Sequence, residues 1–321
     1  MKIALCQLAP VLLNRHATTR KVVEAIGEAS AGGATLAVFG ETLLPGYPLW
    51  ISRTDGARFN AADQKELHSL YLDQAVDIAA GHLQPLQDAA AKGGVAVCIG
   101  VAEREAYSVF ASRVMIDSNG ALLSVHRKLR PTYEERLSWA PGDGAGLVVH
   151  PIGEFTVGAL NCWENWMPLA RASLHAQGED LHCMLWPGGE HNTRDLTPVV
   201  AKEARSYVAS ASGLLREQDV PADFPHRARF VPDAHEMLLN GGSCLAAPDG
   251  SWVIEPILDD EAIVVAEIDP ARVREERQNF DLSGHYARPD VFELRVDRTR
   301  RRAAHFTDDS VQAGHDDSRG S

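Results

Sequence analysis

The sequence predicts an α/β fold in which stacked β-sheets are covered by helices. Three observations point to it. Strand-like apolar runs alternate with helix-like amphipathic stretches, while several strands instead follow one another directly through tight turns. The 321 residues, 45% hydrophobic and 23% charged, are also ample for a large core.

Taken in order, residues 2–8 form a first strand and residues 16–31 an amphipathic helix. Residues 35–40 are a short apolar strand that ends at Glu41, and 61–91 read as two helices broken near Gly81. Residues 95–102, 109–116 and 122–127 are successive strands, the last two joined by the turn Asp117-Ser118-Asn119-Gly120. A strand at 156–161, a helix at 169–177, a strand at 181–186 and a helix at 198–212 follow. Residues 243–247 and 252–256 pair as a hairpin around Pro248-Asp249-Gly250, before a strand at 262–268 and a short helix at 272–280. There is no internal repeat or low-complexity linker, so residues 1–298 are expected as one domain. Residues 299–321 are expected as a polar tail whose composition favours disorder.

The net charge of −13, with acidic residues spread along the chain, argues against nucleic acid as a partner, because phosphate binding needs a basic face. The basic cluster Arg298-Thr299-Arg300-Arg301-Arg302 is short and suits a solvated segment or an assembly contact. Five cysteines (Cys6, Cys98, Cys162, Cys183 and Cys244) are widely spaced with no C-x-x-C pair, which fits free thiols in a reducing cytoplasm. The apolar start of the chain is too short for a signal peptide, and no run approaches a membrane span.

Three residues stand where apolar strands end. Cys162 closes the run Phe155-Thr156-Val157-Gly158-Ala159-Leu160-Asn161, and Pro168 marks a helix start just beyond. A thiol at such a strand-to-helix junction is held rigidly and can face helix N–H groups, as a nucleophile requires, although a lone strand cysteine is also an ordinary core residue. Glu41 ends the run Leu36-Ala37-Val38-Phe39-Gly40; partial desolvation there would make it a base near neutral pH, and the plain alternative is a carboxylate facing water. Lys128 follows the strand at 122–127 and could stabilise an anionic intermediate, or be a solvated lysine. Together they supply a base, a cation and a nucleophile at strand C-termini, where sheet proteins gather catalytic groups.

These residues resemble the nitrilase branch of the carbon-nitrogen hydrolase superfamily. The resemblance spans residues 2–295 and rests on F-G-E-T-x-x-P-G-Y-P at 39–48, H-R-K-L-R-P-T at 126–132, N-C-W-E-N at 161–165 and D-L-S-G-H-Y-A-R-P-D-V-F at 281–292. It implies a four-layer α-β-β-α sandwich, and it carries the family's catalytic Glu, Lys and Cys onto Glu41, Lys128 and Cys162. The family's second glutamate falls on Glu135, beside Glu134. The resemblance also implies a small-molecule nitrile substrate, no metal or organic cofactor, and homodimers that extend into spirals. Trp163-Glu164 after the cysteine is as in nitrile hydrolysers; an amidase, carbamoylase or cyanide hydrolase with the same Glu-Lys-Cys machinery is the alternative.

Neighbours of these blocks are candidate pocket residues: Tyr47, Trp50, Thr132, Tyr133, Trp163, Trp166, Trp186 and Pro187. Aromatic lining would suit an aryl or arylaliphatic nitrile, yet most of these residues read more readily as core packing. Tyr47, Thr132, Trp163 and Trp186 are taken as substrate-binding. His235-Glu236 starts like a zinc motif, but Leu239 stands where the second histidine would be. Cys183 reads as a core thiol and His182 as a satisfied or exposed strand histidine.

Overall fold

The structure is a computed structural model that describes residues 1–304. Its strands are β1 (Lys2–Gln7), β2 (Leu36–Phe39), β3 (Ala96–Glu105), β4 (Ser108–Ile116), β5 (Leu122–Arg127), β6 (His150–Ile152), β7 (Phe155–Asn161), β8 (Leu181–Trp186), β9 (Tyr207–Ser212), β10 (Leu214–Arg216), β11 (Met237–Ala246), β12 (Trp252–Leu258) and β13 (Ala262–Glu267). They form two sheets, one ordered β13-β1-β2-β3-β4-β5 and one ordered β10-β11-β9-β8-β7-β6, with β12 paired to β11.

Side-chain alternation explains the layering. Along β1, Ile3 and Leu5 face the second sheet, while Ala4 and Cys6 face the helices Arg15–Ala31 and Gln84–Gly93. The inter-sheet core is completed by Val157, Ala159, Leu181, Cys183, Leu185, Ala209 and Ala211 from β7, β8 and β9. On the far side, Leu160 packs on Ala170 and Leu174 of the helix Pro168–His175. Met184 and Val208 pack on Leu196, Val200 and Ala201 of the helix Leu196–Ala204. This is the four-layer α-β-β-α sandwich. Strands buried on both faces favour apolar residues at nearly every position, which is why β2 reads LAVF and β8 reads LHCMLW, with His182 the one polar exception.

One expectation is corrected. The helix expected over 198–212 ends at Ala204, where Arg205 turns left-handed with φ of +50°, and 207–212 is instead the strand β9. The small residues of YVASAS look helix-compatible, but the strand lies parallel to β8 in the middle of a sheet, where burial on both faces overrides local propensity. Residues 305–321 of the expected tail lie outside the described residues. Just before them, Arg300 pairs with Asp143 at 3.2 Å and donates to Val125 O at 2.8 Å. Among the described residues no helix is long and apolar enough to cross a membrane.

Topology then sets the site. β1, β2 and β3 are parallel, and β5 returns to their direction because β4 runs antiparallel to both β3 and β5. Glu41 and Lys128 therefore emerge at the same end of the first sheet, and Cys162 emerges at the C-terminal end of β7 in the second. The two ends are tied together: Trp186 O, at the end of β8, accepts from Glu41 N at 2.9 Å and Gly213 N at 3.0 Å. A Cβ on Gly40 would lie 2.7 Å from Gly213 N, so only glycine permits this approach.

Candidate active site

The site is a buried ionic cluster. Lys128 Nζ lies 2.8 Å from Glu135 Oε2 and 2.9 Å from Glu41 Oε1, and all three side chains are at least 96% buried. Ligand-type atoms of Glu41, Glu135 and Cys162 all fall within 4.8 Å of one another. That trio has the spacing of a cation site, and the Lys128 ammonium serves as its cation. The Trp139 ring, 5.4 Å from Lys128 Nζ, forms one wall.

Glu135 is saturated as an acceptor. Oε1 takes a hydrogen bond from Tyr47 OH at 2.9 Å; Oε2 takes one from Lys128 Nζ and one from Thr132 N at 2.5 Å. Glu41 is the opposite. Its one polar neighbour is Lys128 Nζ, 2.9 Å from Oε1 but poorly aligned, and its oxygens make no other hydrogen bond within the protein. Glu135 is thereby suited to hold the lysine, and Glu41 to accept a proton.

The electrostatics divide the roles further. Burial pushes the Glu41 carboxyl up to about 8; Lys128 pulls it down and Glu135 pushes it up again. Burial also raises the Cys162 thiol well above its ordinary value, with Glu41 adding to the rise while Lys128 and the Trp163 backbone N–H oppose it. Burial alone would lower the Lys128 ammonium, but Cys162, Glu41 and Glu135 outweigh that and hold it charged. The resting proton thus sits on sulfur, and Glu41, once ionised as pH rises towards about 8, is the adjacent base able to take it.

Cys162 opens the short 3₁₀ turn Cys162–Trp166 directly after β7, with φ of +48°. Thr42, next to Glu41, has φ of +45°, and Tyr133, beside Thr132, has φ of +44°. Each such conformation costs about 1–3 kcal/mol for a non-glycine residue, and such strain clusters at functional sites. Glu164 helps hold it here. Its carboxylate, fully buried, accepts from Leu129 N at 2.6 Å, from Asn161 N at 3.0 Å and from His126 Nε2 at 3.0 Å. One side chain thereby staples the Lys128 strand end to the Cys162 strand end.

The pocket candidates fall into different places. Tyr47 and Thr132 belong to the cluster through Glu135. Trp163 is half-exposed at the mouth, its Nε1 donating to Asn192 Oδ1 at 3.4 Å. Tyr133 is largely exposed and Trp166, like Trp163, half-exposed. Trp186 is wholly buried, with Nε1 on Ser210 Oγ at 3.3 Å, and contributes its carbonyl to Glu41 rather than an indole to the surface of a pocket. Trp50 lies in the core, edge-on to Tyr71 at 5.1 Å. Pro187 borders a small cavity of about 10 Å³ beside Glu41 and Tyr47, walled by Leu215 and Leu239. That is room for about one water molecule. Sequence reasoning did not give a structural role to Glu164 or Trp139, because their partners are far along the chain.

The Glu41 assignment has a measurable consequence. Its folded value lies above the unfolded reference of 4.5, so this group favours the folded state below that reference. The contribution is lost as pH climbs towards about 8. Glu41→Gln removes that loss. Its Tm relative to the parent should therefore improve between about pH 5 and about pH 8, by roughly 2 °C or more. A Tm difference that is flat or worsens over that range would contradict the raised carboxyl.

Comparison with known proteins agrees with this geometry. The family model for carbon-nitrogen hydrolase matches residues 2–278. "Nitrilase 2" from an unknown prokaryotic organism is 35% identical over 96% of this chain and 96% of its own length. An aliphatic nitrilase from Sinorhizobium fredii (strain HH103) is 35% identical over 92% of this chain and 95% of its own. In fold, the chain resembles XC1258 from Xanthomonas campestris, a CN-hydrolase superfamily protein, with a TM-score of 0.66 at 17% identity over 87% of this chain and 94% of that one. With its family model, near full-length relatives and sandwich in agreement, this chain belongs to the carbon-nitrogen hydrolase family and, within it, to the nitrilase branch.

Proposed function

We propose that the enzyme hydrolyses an organic nitrile to the carboxylic acid and ammonia through a covalent intermediate on Cys162. The observation that carries this reading is the buried cluster itself: a protonated thiol and a carboxyl whose one polar neighbour is Lys128, with that lysine fixed by a second carboxylate. The named nitrilases that align over nearly the whole chain favour the nitrile carbon as the target.

Glu41 takes the thiol proton as sulfur bonds to the nitrile carbon, and that proton passes to the nitrile nitrogen, leaving a thioimidate. Glu41 then deprotonates a water whose oxygen adds to the same carbon. Lys128 and the Trp163 N–H stabilise the charge on the tetrahedral species. The nitrogen, protonated again, leaves as ammonia and an acyl-thioester remains. A second water adds, the carbon–sulfur bond breaks, the acid departs and sulfur recovers its proton. Two waters are consumed per nitrile. If the first tetrahedral species instead breaks its carbon–sulfur bond, the product is the amide. Tyr47, Thr132 and Trp163 are the residues we place nearest the substrate, the first two through Glu135.

Ammonia release from aliphatic, aromatic and arylacetonitriles, from cyanide and from the matching amides tests the reading. We expect turnover of nitriles, with the acid as main product. Turnover of amides alone would make the enzyme an amidase or carbamoylase, and turnover of cyanide alone a cyanide hydrolase.

A further inference from the structure

Behind the nucleophile, on the side away from Glu41 and Lys128, runs a second buried polar chain. The Cys162 carbonyl accepts from Asn165 Nδ2 at 2.8 Å, and the same nitrogen reaches Leu160 O at 3.4 Å. An amide nitrogen between two carbonyls fixes which end of Asn165 is which, so Oδ1 is the atom 2.8 Å from His182 Nε2. His182 Nδ1 in turn lies 2.7 Å from Glu179 Oε1. Burial works against the Glu179 charge, but His182 and His175 outweigh it and hold the carboxyl down at about 2. Both nitrogens of His182 therefore face acceptors, and Nε2 donates to Asn165 Oδ1.

Asn165, Glu179 and His182 are all fully buried. The chain is also anchored at its ends. Arg171 Nη1 donates to Asn165 O at 2.5 Å and pairs with Glu203, and His175 Nδ1 lies 2.9 Å from Glu179 Oε2. A Cβ on Gly158 of β7 would lie 2.0 Å from Glu179 Oε1, so the strand is built around this carboxylate.

The link to chemistry is the planar peptide. The carbonyl of Cys162 and the N–H of Trp163 belong to one peptide unit and point in opposite directions. Whatever fixes the carbonyl fixes the N–H, and that N–H follows the Cys162 sulfur directly in the chain and opposes the rise of its thiol. We propose that Asn165 and His182 are positioning residues: through the Cys162 carbonyl they set the orientation of the Cys162–Trp163 peptide and aim the Trp163 N–H at the sulfur and at the intermediate formed on it. Glu179 holds His182 in the donating orientation. The inference rests on Cys162 as nucleophile, and goes beyond it by assigning a device that keeps a strained peptide from flipping.

Three variants test it: Asn165→Asp, His182→Leu and His182→Gln. Asn165→Asp replaces the donor to the Cys162 carbonyl with an acceptor. It should lower kcat about 100-fold with KM within about threefold, since the loss of one such donor acts on the transition state. Iodoacetamide labelling of Cys162 should slow in parallel. His182→Leu should lower kcat about tenfold. His182→Gln keeps a nitrogen near the Nε2 position and should return kcat to within about threefold of the parent.

All rates are taken per alkylatable Cys162, so an unfolded fraction does not count. Parent kcat per site in Asn165→Asp and His182→Leu would overturn the proposal, as would His182→Gln being as impaired as His182→Leu. If the first two variants do not fold, ¹⁵N spectra of the parent decide. The His182 Nε2–H should give a solvent-protected ring resonance that moves in Glu179→Gln; a parent without that protected N–H overturns the proposal. Labelling of Cys162 in the parent, and its blockage by a nitrile, report separately on the nucleophile.

Discussion

Cys162→Ala is expected to abolish nitrile hydrolysis, with a loss of at least ~10⁴-fold, while the protein melts within a few degrees of the parent. The fold should survive because the change is small. Cys162 packs in a cluster with Met184, Trp186 and Leu196, and alanine leaves only a sulfur-sized void, worth about 1 kcal/mol. The chemistry should not survive, because no other thiol is placed to replace it. Cys162 is the cysteine that stands within 4.8 Å of the Glu41 and Glu135 carboxylates, and the other four are buried elsewhere in the sheets. Cys162→Ser should be nearly as inactive. Glu41, pushed up to about 8, is matched to the proton of a thiol and not to that of a hydroxyl. Ammonia release beside a thermal melt measures both halves. Turnover at the parent rate in a folded Cys162→Ala protein would remove the covalent mechanism.

The strand ends were legible because the apolar runs LAVF, LLSVHR and FTVGALN stop at residues of a different kind, namely Gly40-Glu41, Lys128 and Cys162. Sheet direction does the rest, since parallel strands deliver their C-terminal residues to one edge. What was not legible depends on which side chain meets which across space. Trp186 and Tyr47 look alike as aromatic neighbours of catalytic blocks. One is sealed under the nucleophile and the other donates to Glu135, and only the pleat of β8 and the course of the loop after Glu41 separate them. Glu164 and His182 were set aside or read as local cues, because their partners lie 38 and 17 residues away in the chain. The strand β9 was missed for a related reason: small residues at 207–212 fit a helix locally, and only the neighbours β8 and β11 make them a strand.

Lys128→Met should damage stability as well as catalysis, and the pH dependence of the damage identifies its cause. Methionine nearly matches the length of the lysine stem, so packing against Trp139 is largely kept. What disappears is the charge 2.9 Å from Glu41 and 2.8 Å from Glu135. Two buried carboxylates are then left facing each other, which costs about 3–5 kcal/mol when both are ionised. Near pH 8 that corresponds to a Tm drop of roughly 5–15 °C. The sign with pH follows from the direction of the shift. Without the ammonium, which pulls it down, the Glu41 carboxyl rises further above its unfolded value, so the folded variant binds that proton more tightly than the unfolded chain and regains stability on acidification. The Tm gap to the parent should therefore shrink between about pH 8 and about pH 5. Turnover should fall by ~10²–10³-fold or more at every pH where the parent is active, because the cation that stabilises the tetrahedral species is gone. The double variant Lys128→Met with Glu41→Gln separates the two effects. It removes the carboxylate repulsion and should recover several degrees near pH 8 with no recovery of turnover. If instead it melts no higher than Lys128→Met, or the Tm gap is the same at both pH values, lost packing rather than charge governs the cluster, and the ionic division of labour between Glu41 and Glu135 fails with it.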